Sequence, residues 1–326
     1  MLKRILSIFV FSILALSTIT TTATAQGQPA QAPGQIRGIV ITRDPNSPLA
    51  KKFASEVGST PTQNLIYHGG PVMHTNKTYA IYWVHAGYSV SSSYSKIING
   101  FFMNVAAASG ISSNVYYAAT QYYDTLHGHI LFKSVFGGSF LDKNAFPAGD
   151  CTDSYTSLCL GDDQIQTEIN NVATSHNWSR SGTEFFMFTP NGVGSCAAGY
   201  CAFTDYCAYH SDFSAAAGDT LYANMPYADT VPSACDAGPS THPNNSDADP
   251  TINLVSHEHN ETITDMHGNA WYDKFGNEDG DLCAWKFGAS LGHTAYGNYN
   301  QIIGTGKYYL QSEWSNMFSH CVLNGY

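Results

Sequence analysis

The residues best suited to chemistry stand together in one stretch, His257-Glu258-His259-Asn260-Glu261. On a helix His257 and Glu261 are one turn apart and point the same way, the spacing by which two side chains reach a single metal ion. Glu258 would lie beside that ion, placed to take a proton from a water it activates. A wheel over residues 251–266 separates Ile252, Val255, His259, Ile263 and Met266 from Leu254, His257, Glu258, Glu261 and Asp265. Only the second face reads as a site. His259 projects from the apolar face and reads as a hydrogen-bonded core histidine. A third ligand must come from elsewhere, and the acidic segment 273–283 offers Asp273, Glu278, Asp279 and Asp281.

The helix pattern is that of the His-Glu-x-x-His zinc hydrolases with Glu in place of the second His. Asn277-Glu278-Asp279-Gly280-Asp281 resembles the segment of thermolysin-like metallopeptidases in which a Glu is the third ligand. That resemblance makes Glu278 the choice, with Asp281 orienting a ligand from behind. Gly276 and Gly280 place the segment in a loop. His267 stands ten residues after His257, the offset of the third His in metzincins, and it and His210 are the competing ligands. One His and two carboxylates formally neutralise Zn²⁺, which lowers the acidity of bound water relative to a three-His site; Ca²⁺ or Mn²⁺ is the alternative.

These side chains need a helix and a sheet to hold them. Asp249 has the character of an N-cap, Pro250 of a first helical residue and Gly268 of a stop. Residues 79–84 (Tyr-Ala-Ile-Tyr-Trp-Val) and 184–189 (Glu-Phe-Phe-Met-Phe-Thr) read as strands buried on both faces. Covering helices are marked by Ile97, Ile98, Phe101, Phe102 and Val105, and by Ile165, Ile169 and Val172. Residues 192–250, rich in Gly, Ala, Ser, Asp and Cys, read as disulfide-pinned loops. The expected fold class is α+β (α/β-like): a single zincin-like domain over residues 63–326, with a central mixed sheet covered by helices. Residues 26–62 read as a linker or pro-segment with one β-like run at residues 38–42.

At residues 1–25, Lys3 and Arg4, an apolar stretch and Ala23-Thr24-Ala25 read as a signal peptide. No later stretch approaches the roughly 18 apolar residues of a membrane helix. Eight cysteines in an exported chain favour disulfides. Proximity pairs Cys151 with Cys159, makes two bridges among Cys196, Cys201, Cys207 and Cys235, and joins Cys283 to Cys321. With 14 Lys and Arg against 25 Asp and Glu, a formal charge of -11 and no basic cluster after the leader, nucleic acid and anionic membrane are excluded as partners.

Several ordered blocks resemble one family. His68-Gly69-Gly70-Pro71-Val72-Met73 with the strand after it, Gly199-Tyr200-Cys201 to Cys207-Ala208-Tyr209-His210, Thr264-Asp265 to Asn269-Ala270-Trp271-Tyr272, and Glu278 to Cys283 are similar to the EXORDIUM / phosphate-induced protein 1 family. The chain looks like a microbial-type member that keeps a His-Glu-x-x-Glu helix. The resemblance implies a secreted protein associated with cell walls. His210 falls in a block that reads as structural.

The leading expectation is a secreted metal-dependent hydrolase, a zinc peptidase, acting on protein or peptide or on a cell-wall polymer. His257, Glu261 and Glu278 would bind the ion and Glu258 would be the general base. The alternative is a non-catalytic extracellular binding or signalling protein with a structural metal. A serine hydrolase is a weaker third: His68-Gly69-Gly70 is similar to a lipase oxyanion loop, but Val193 stands where a Gly-x-Ser elbow at Ser195 needs glycine.

Overall fold

The structure is a computed structural model describing residues 36–57 and 63–325. Residues 1–25, expected to be a signal peptide, and the start and end of the 26–62 segment lie outside the described residues. The aromatic and β-branched runs form the middle of a six-stranded sheet. Its strands, with the smaller-sheet strands numbered among them, are β1 (Gly38–Ile41), β2 (Asn76–Trp83), β3 (Ser134–Asp142), β5 (Thr183–Phe188), β8 (Tyr206–Ala215) and β9 (Gly218–Met225). A three-stranded sheet holds β4 (Leu158–Gly161), β6 (Val193–Ala197) and β7 (Tyr200–Cys201). The large sheet runs in the order β1-β8-β9-β5-β2-β3. β9, β5, β2 and β3 are parallel, while β8 is antiparallel to both β9 and β1.

Strands that are apolar along their whole length need cover on both faces. α2 (Tyr94–Ala107) and α4 (Ala248–Thr264) supply one layer and α3 (Asp162–Ser175) the other. The division is visible on β5: Phe186 meets Phe102 at 4.9 Å on the α2 and α4 side, whereas Phe185 meets Trp178 at 6.2 Å on the opposite side. Ile98, Phe101, Phe102 and Val105 of α2, and Ile165, Ile169 and Val172 of α3, are buried at the expected period.

The expectations for residues 192–250 and for the bounds of α4 are corrected. Residues 192–250 are not only loops, since β8 and β9 lie there; both are buried on the two faces for most of their length, so their sequences carry no alternation to read. α4 has no solvent face: all 17 residues are buried, because the sheet lies under it and the segments 277–283 and 311–315 lie against its other side. It also starts earlier than expected. Asp247 takes the N-cap position, and the Asp249 carboxylate accepts the Asn244 and Ser246 N–H groups instead of capping the helix. The helix ends at Thr264, where the Asp265 carboxylate draws in the N–H groups of Asn269 and Ala270 at 2.6 and 2.7 Å.

The 26–62 segment contributes to the sheet. β1 pairs with β8, and α1 (Pro48–Val57) follows, so the folded part begins well before Asn64. Disulfides join Cys151–Cys159, Cys196–Cys201, Cys207–Cys235 and Cys283–Cys321. Among the described residues no helix is long and apolar enough to cross a membrane.

The Cys283–Cys321 bridge spans 38 residues and holds the C-terminal segment over the acidic loop. Replacing both cysteines with Ser should lower stability in urea melts by about 2–4 kcal/mol. Non-reducing peptide mapping should recover the 283–321 pair, and recovery of both as free thiols would contradict the arrangement.

Candidate metal centre

The helix spacing brings His257 Nε2 to 2.9 Å from Glu261 Oε1, and the loop after α4 adds Asp281, whose Oδ1 lies 3.8 Å from the same nitrogen. The loop is locked there by its own backbone: Asp281 N–H donates to Glu261 Oε1 at 2.8 Å, and Glu278 N–H donates to Asp281 Oδ2 at 3.0 Å. His257, Glu261 and Asp281 each offer a ligand atom within 4.8 Å of the others. Behind the imidazole, Gln311 Nε2 lies 2.7 Å from His257 Nδ1 and 3.0 Å from Gly280 O. Donation to Gly280 O fixes which end of the amide is the nitrogen, so Gln311 donates to His257 Nδ1 and holds the ring with Nε2 toward the carboxylates.

A second group shares Glu261. His210, on β8, brings Nδ1 to 2.9 Å from Glu258 Oε2 and 3.5 Å from Glu261 Oε2, and its Nε2 lies 3.6 Å from Glu278 Oε2. Val40 N–H of β1 donates to Glu258 Oε1 at 3.3 Å. Glu258 thus faces the sheet edge, one residue away from the His257 group. Glu278 approaches from the His210 side, while Asp281 completes the group around His257.

The electrostatics are set by burial. His257, Glu258, Glu261 and His210 have no exposed surface, and Glu278 is 2% exposed. Burial first, then neighbouring carboxylates, pushes Glu258, Glu261, Glu278 and Asp281 well above the usual carboxylate range. Burial lowers His257 and, with the repulsion of His257, takes His210 down to about 3. Glu261 Oε2, both Glu278 oxygens, His210 Nε2 and His257 Nε2 lack hydrogen-bond partners. Carboxylates stripped of water cost several kcal/mol apiece unless a cation or donors replace it. The ion-pairing partners of this cluster are two histidines with lowered pKa values, and the backbone N–H groups of Val40, Glu278 and Asp281 compensate only part of it. Imidazole nitrogen with hard carboxylate oxygen is a donor set that suits a divalent cation.

Other residues singled out in the sequence are placed apart from this point. Asp265 is a loop brace, its pKa raised to about 7 by burial. His267 lies 3.7 Å from Asp212 and 3.4 Å from Asp219 at the β8–β9 hairpin. His259 is a core histidine, with Nε2 3.0 Å from Asn76 Oδ1 and Nδ1 3.2 Å from the Tyr116 hydroxyl. The His68-Gly69-Gly70 stretch is used structurally: its backbone pairs with residues 269–270, and the His68 ring stacks on Tyr272 at 3.6 Å.

Sequence reasoning missed Gln311 and Glu313. Both Glu313 oxygens are buried without partners, and Trp314 N–H bonds Asp279 O at 3.0 Å, which sets this strand beside the acidic loop. The expected Cys283–Cys321 bridge carried the signal, since it returns the C-terminal segment to that loop. Comparison of the chain with family models, with curated proteins and with solved structures found no match.

His259→Ala would leave the Asn76 amide and the Tyr116 hydroxyl buried without that partner, and should cost about 2–4 kcal/mol in urea unfolding. His267→Ala, at a partly exposed ion pair, should cost no more than about 1 kcal/mol. Equal losses would contradict the division between core and surface histidines.

Proposed function

We propose that the protein is a secreted metal-dependent hydrolase of proteins or peptides, with a zincin-like use of one helix. The observation that carries this reading is the convergence of His257, Glu261 and Asp281, with His257 Nε2 turned to the Glu261 and Asp281 carboxylates, and Glu258 next in sequence buried against His210 and Val40 N–H at the sheet edge. His257, Glu261 and Asp281 would hold the ion, Zn²⁺ by donor set with Ca²⁺ or Mn²⁺ as alternatives; Glu278 would close the His210 side. This moves Asp281 ahead of Glu278 as third ligand, because the loop turns Asp281 toward His257 and Glu278 toward His210. When bound, such an ion polarises a carbonyl and makes water more acidic at neutral pH.

The chain's own residues divide the remaining work. Glu258 takes up a proton at a carboxylate oxygen, and burial raises its affinity for that proton. His210 Nδ1 holds Glu258 in one rotamer, and Gln311 holds His257 from behind. The Asp281 N–H and carboxylate tie Glu261 and Glu278 to the same loop. Export is part of the proposal: four disulfides fit an oxidising compartment, and the sequence begins with leader-like residues. The likeness to the EXORDIUM / phosphate-induced protein 1 family supports a cell-wall setting, and a wall polymer is the alternative partner. In the second reading the same carboxylates hold a structural ion in a non-catalytic binding or signalling protein.

Elemental analysis should find about one divalent ion per chain, lost when His257 and Glu261 are both changed to Ala. Glu258→Gln should keep the fold and the ion while hydrolysis of a denatured protein falls at least about 100-fold. Loss of the ion in Glu258→Gln would make Glu258 a ligand. A wild-type chain that holds its ion and hydrolyses neither proteins nor peptides, before or after removal of the segment preceding Gln63, would favour the binding protein.

A further inference from the structure

The carboxylate cluster is closed on one side by the chain's own N-terminal strand. β1 is the outermost strand beside β8, with Gly38 opposite His210 and Val40 opposite Ala208, and Arg37 N–H donates to His210 O at 3.0 Å. The face of β1 turned toward α4 rests on the site. Val40 N–H reaches Glu258 Oε1, and a Cβ at Gly38 would overlap Glu261 Oε2 and His210 Cε1 and lie 2.7 Å from Glu278 Oε2. Glycine in a strand marks a place where other groups approach the backbone closely. Here they are the carboxylates and imidazole proposed to act on a peptide.

What holds this segment is mostly main chain. β1 has four residues, and beyond its ladder Thr42 N–H and Arg43 N–H donate to Asp205 O and Ala234 O at 3.1 and 2.9 Å. The Trp285 indole donates to Ile41 O at 2.8 Å, and Arg37 pairs with Asp212 at 2.7 Å. Val40 is the fully buried apolar anchor of the strand. From Pro48 to Glu56 no residue of α1 is buried, and a cavity of about 160 Å³ lined by Leu49, Phe53, Ile39, Ile41 and Asp281 remains under the helix. Few buried apolar contacts are the mark of a segment that opens locally at low cost. A ladder of main-chain bonds is also one that any extended peptide can reproduce on a free strand edge.

We propose that residues 36–43 occupy in cis the place of the substrate, an extended peptide added antiparallel to β8 with a glycine or its bare backbone over Glu261. Departure of residues 36–57 then frees the β8 edge and opens the cluster. The proposal rests on the hydrolase reading for its chemistry but not for its binding step. A segment that covers the site nine-tenths of the time or more lowers apparent affinity for a competing peptide by about tenfold or more.

The test uses the chain from Gln26 onward, loaded with Zn²⁺, with residues 58–62 replaced by the recognition sequence of a site-specific protease. Cutting should release the N-terminal fragment, raise hydrogen exchange of the β8 amides that face β1, and increase hydrolysis of a denatured protein at least about tenfold. A labelled peptide of residues 34–45 should bind the cut protein by fluorescence polarisation and inhibit it. The same peptide with Gly38→Val should do neither. Peptide binding that depends on Gly38, with no hydrolysis before or after cutting, would keep the strand-displacement proposal and remove the hydrolase reading. An uncut chain as active as the cut one, a fragment that stays bound with β8 protection unchanged, or loss of near-UV circular dichroism on cutting would each overturn the proposal and make β1 a fixed part of the fold.

Discussion

The constraint on which this structure turns is the removal of carboxylates from water. In a chain with only 12% charged residues, Glu258, Glu261, Glu278, Asp279, Asp281 and Glu313 are gathered into one buried region. Desolvation at such a place is far larger than the gain from any single hydrogen bond. The surroundings answer it with fixed donors, the Asp281 and Val40 N–H groups and the His210 ring, and still leave several oxygens without partners. A fold that kept these groups buried for packing alone would do better with apolar residues of the same size. Their burial with several oxygens left without hydrogen bonds is the physical ground for the proposal that the cluster holds a cation.

The architecture follows from that requirement. α4 crosses the sheet where β8 lies antiparallel to its neighbours, so the turn of the helix that carries His257 and Glu261 faces both a strand edge and the loop after the helix. Glu261 sits at the junction, bound by the loop backbone through one oxygen and near His210 through the other. The Cys283–Cys321 bridge brings the C-terminal segment back over this loop, and Gln311 can then brace His257. Each support comes from a different part of the chain, and that distribution lets a short helical motif be held without a solvent face.

The two histidines of the motif show how closely burial and role are matched. His257 and His259 are two residues apart and equally buried, yet they face opposite surroundings. His259 meets a neutral amide and a hydroxyl that satisfy both of its nitrogens, so it is a packing group with a polar link. His257 meets carboxylates through a nitrogen that lacks a hydrogen-bond partner. The 3.6-residue period turns the two side chains well apart, and this alone separates a core residue from a candidate ligand.

Local rules made a good part of this legible in the sequence. The i, i+4 spacing of His257 and Glu261, the apolar face assigned to His259, the doubly buried strands around Tyr79 and Glu184, and the short-range Cys151–Cys159 pair all depend on neighbours close in the chain. Periodicity failed where burial was complete: β8 and β9 were hidden because buried polar residues such as His210, Asp212 and Asn224 carry no alternation. Which acidic residue of the 273–283 loop turns to His257, that His210 enters the cluster, and that Gln311 stands behind it were decided by tertiary structure alone. Asp281 N–H reaches Glu261 across 20 positions, His210 reaches Glu258 across 48 and Gln311 reaches His257 across 54, and their register is set by strand order and a disulfide instead of by any local preference. The same holds for β1, a run recognisable as a strand from its composition, whose place over the site exists only because β8 offers it an edge.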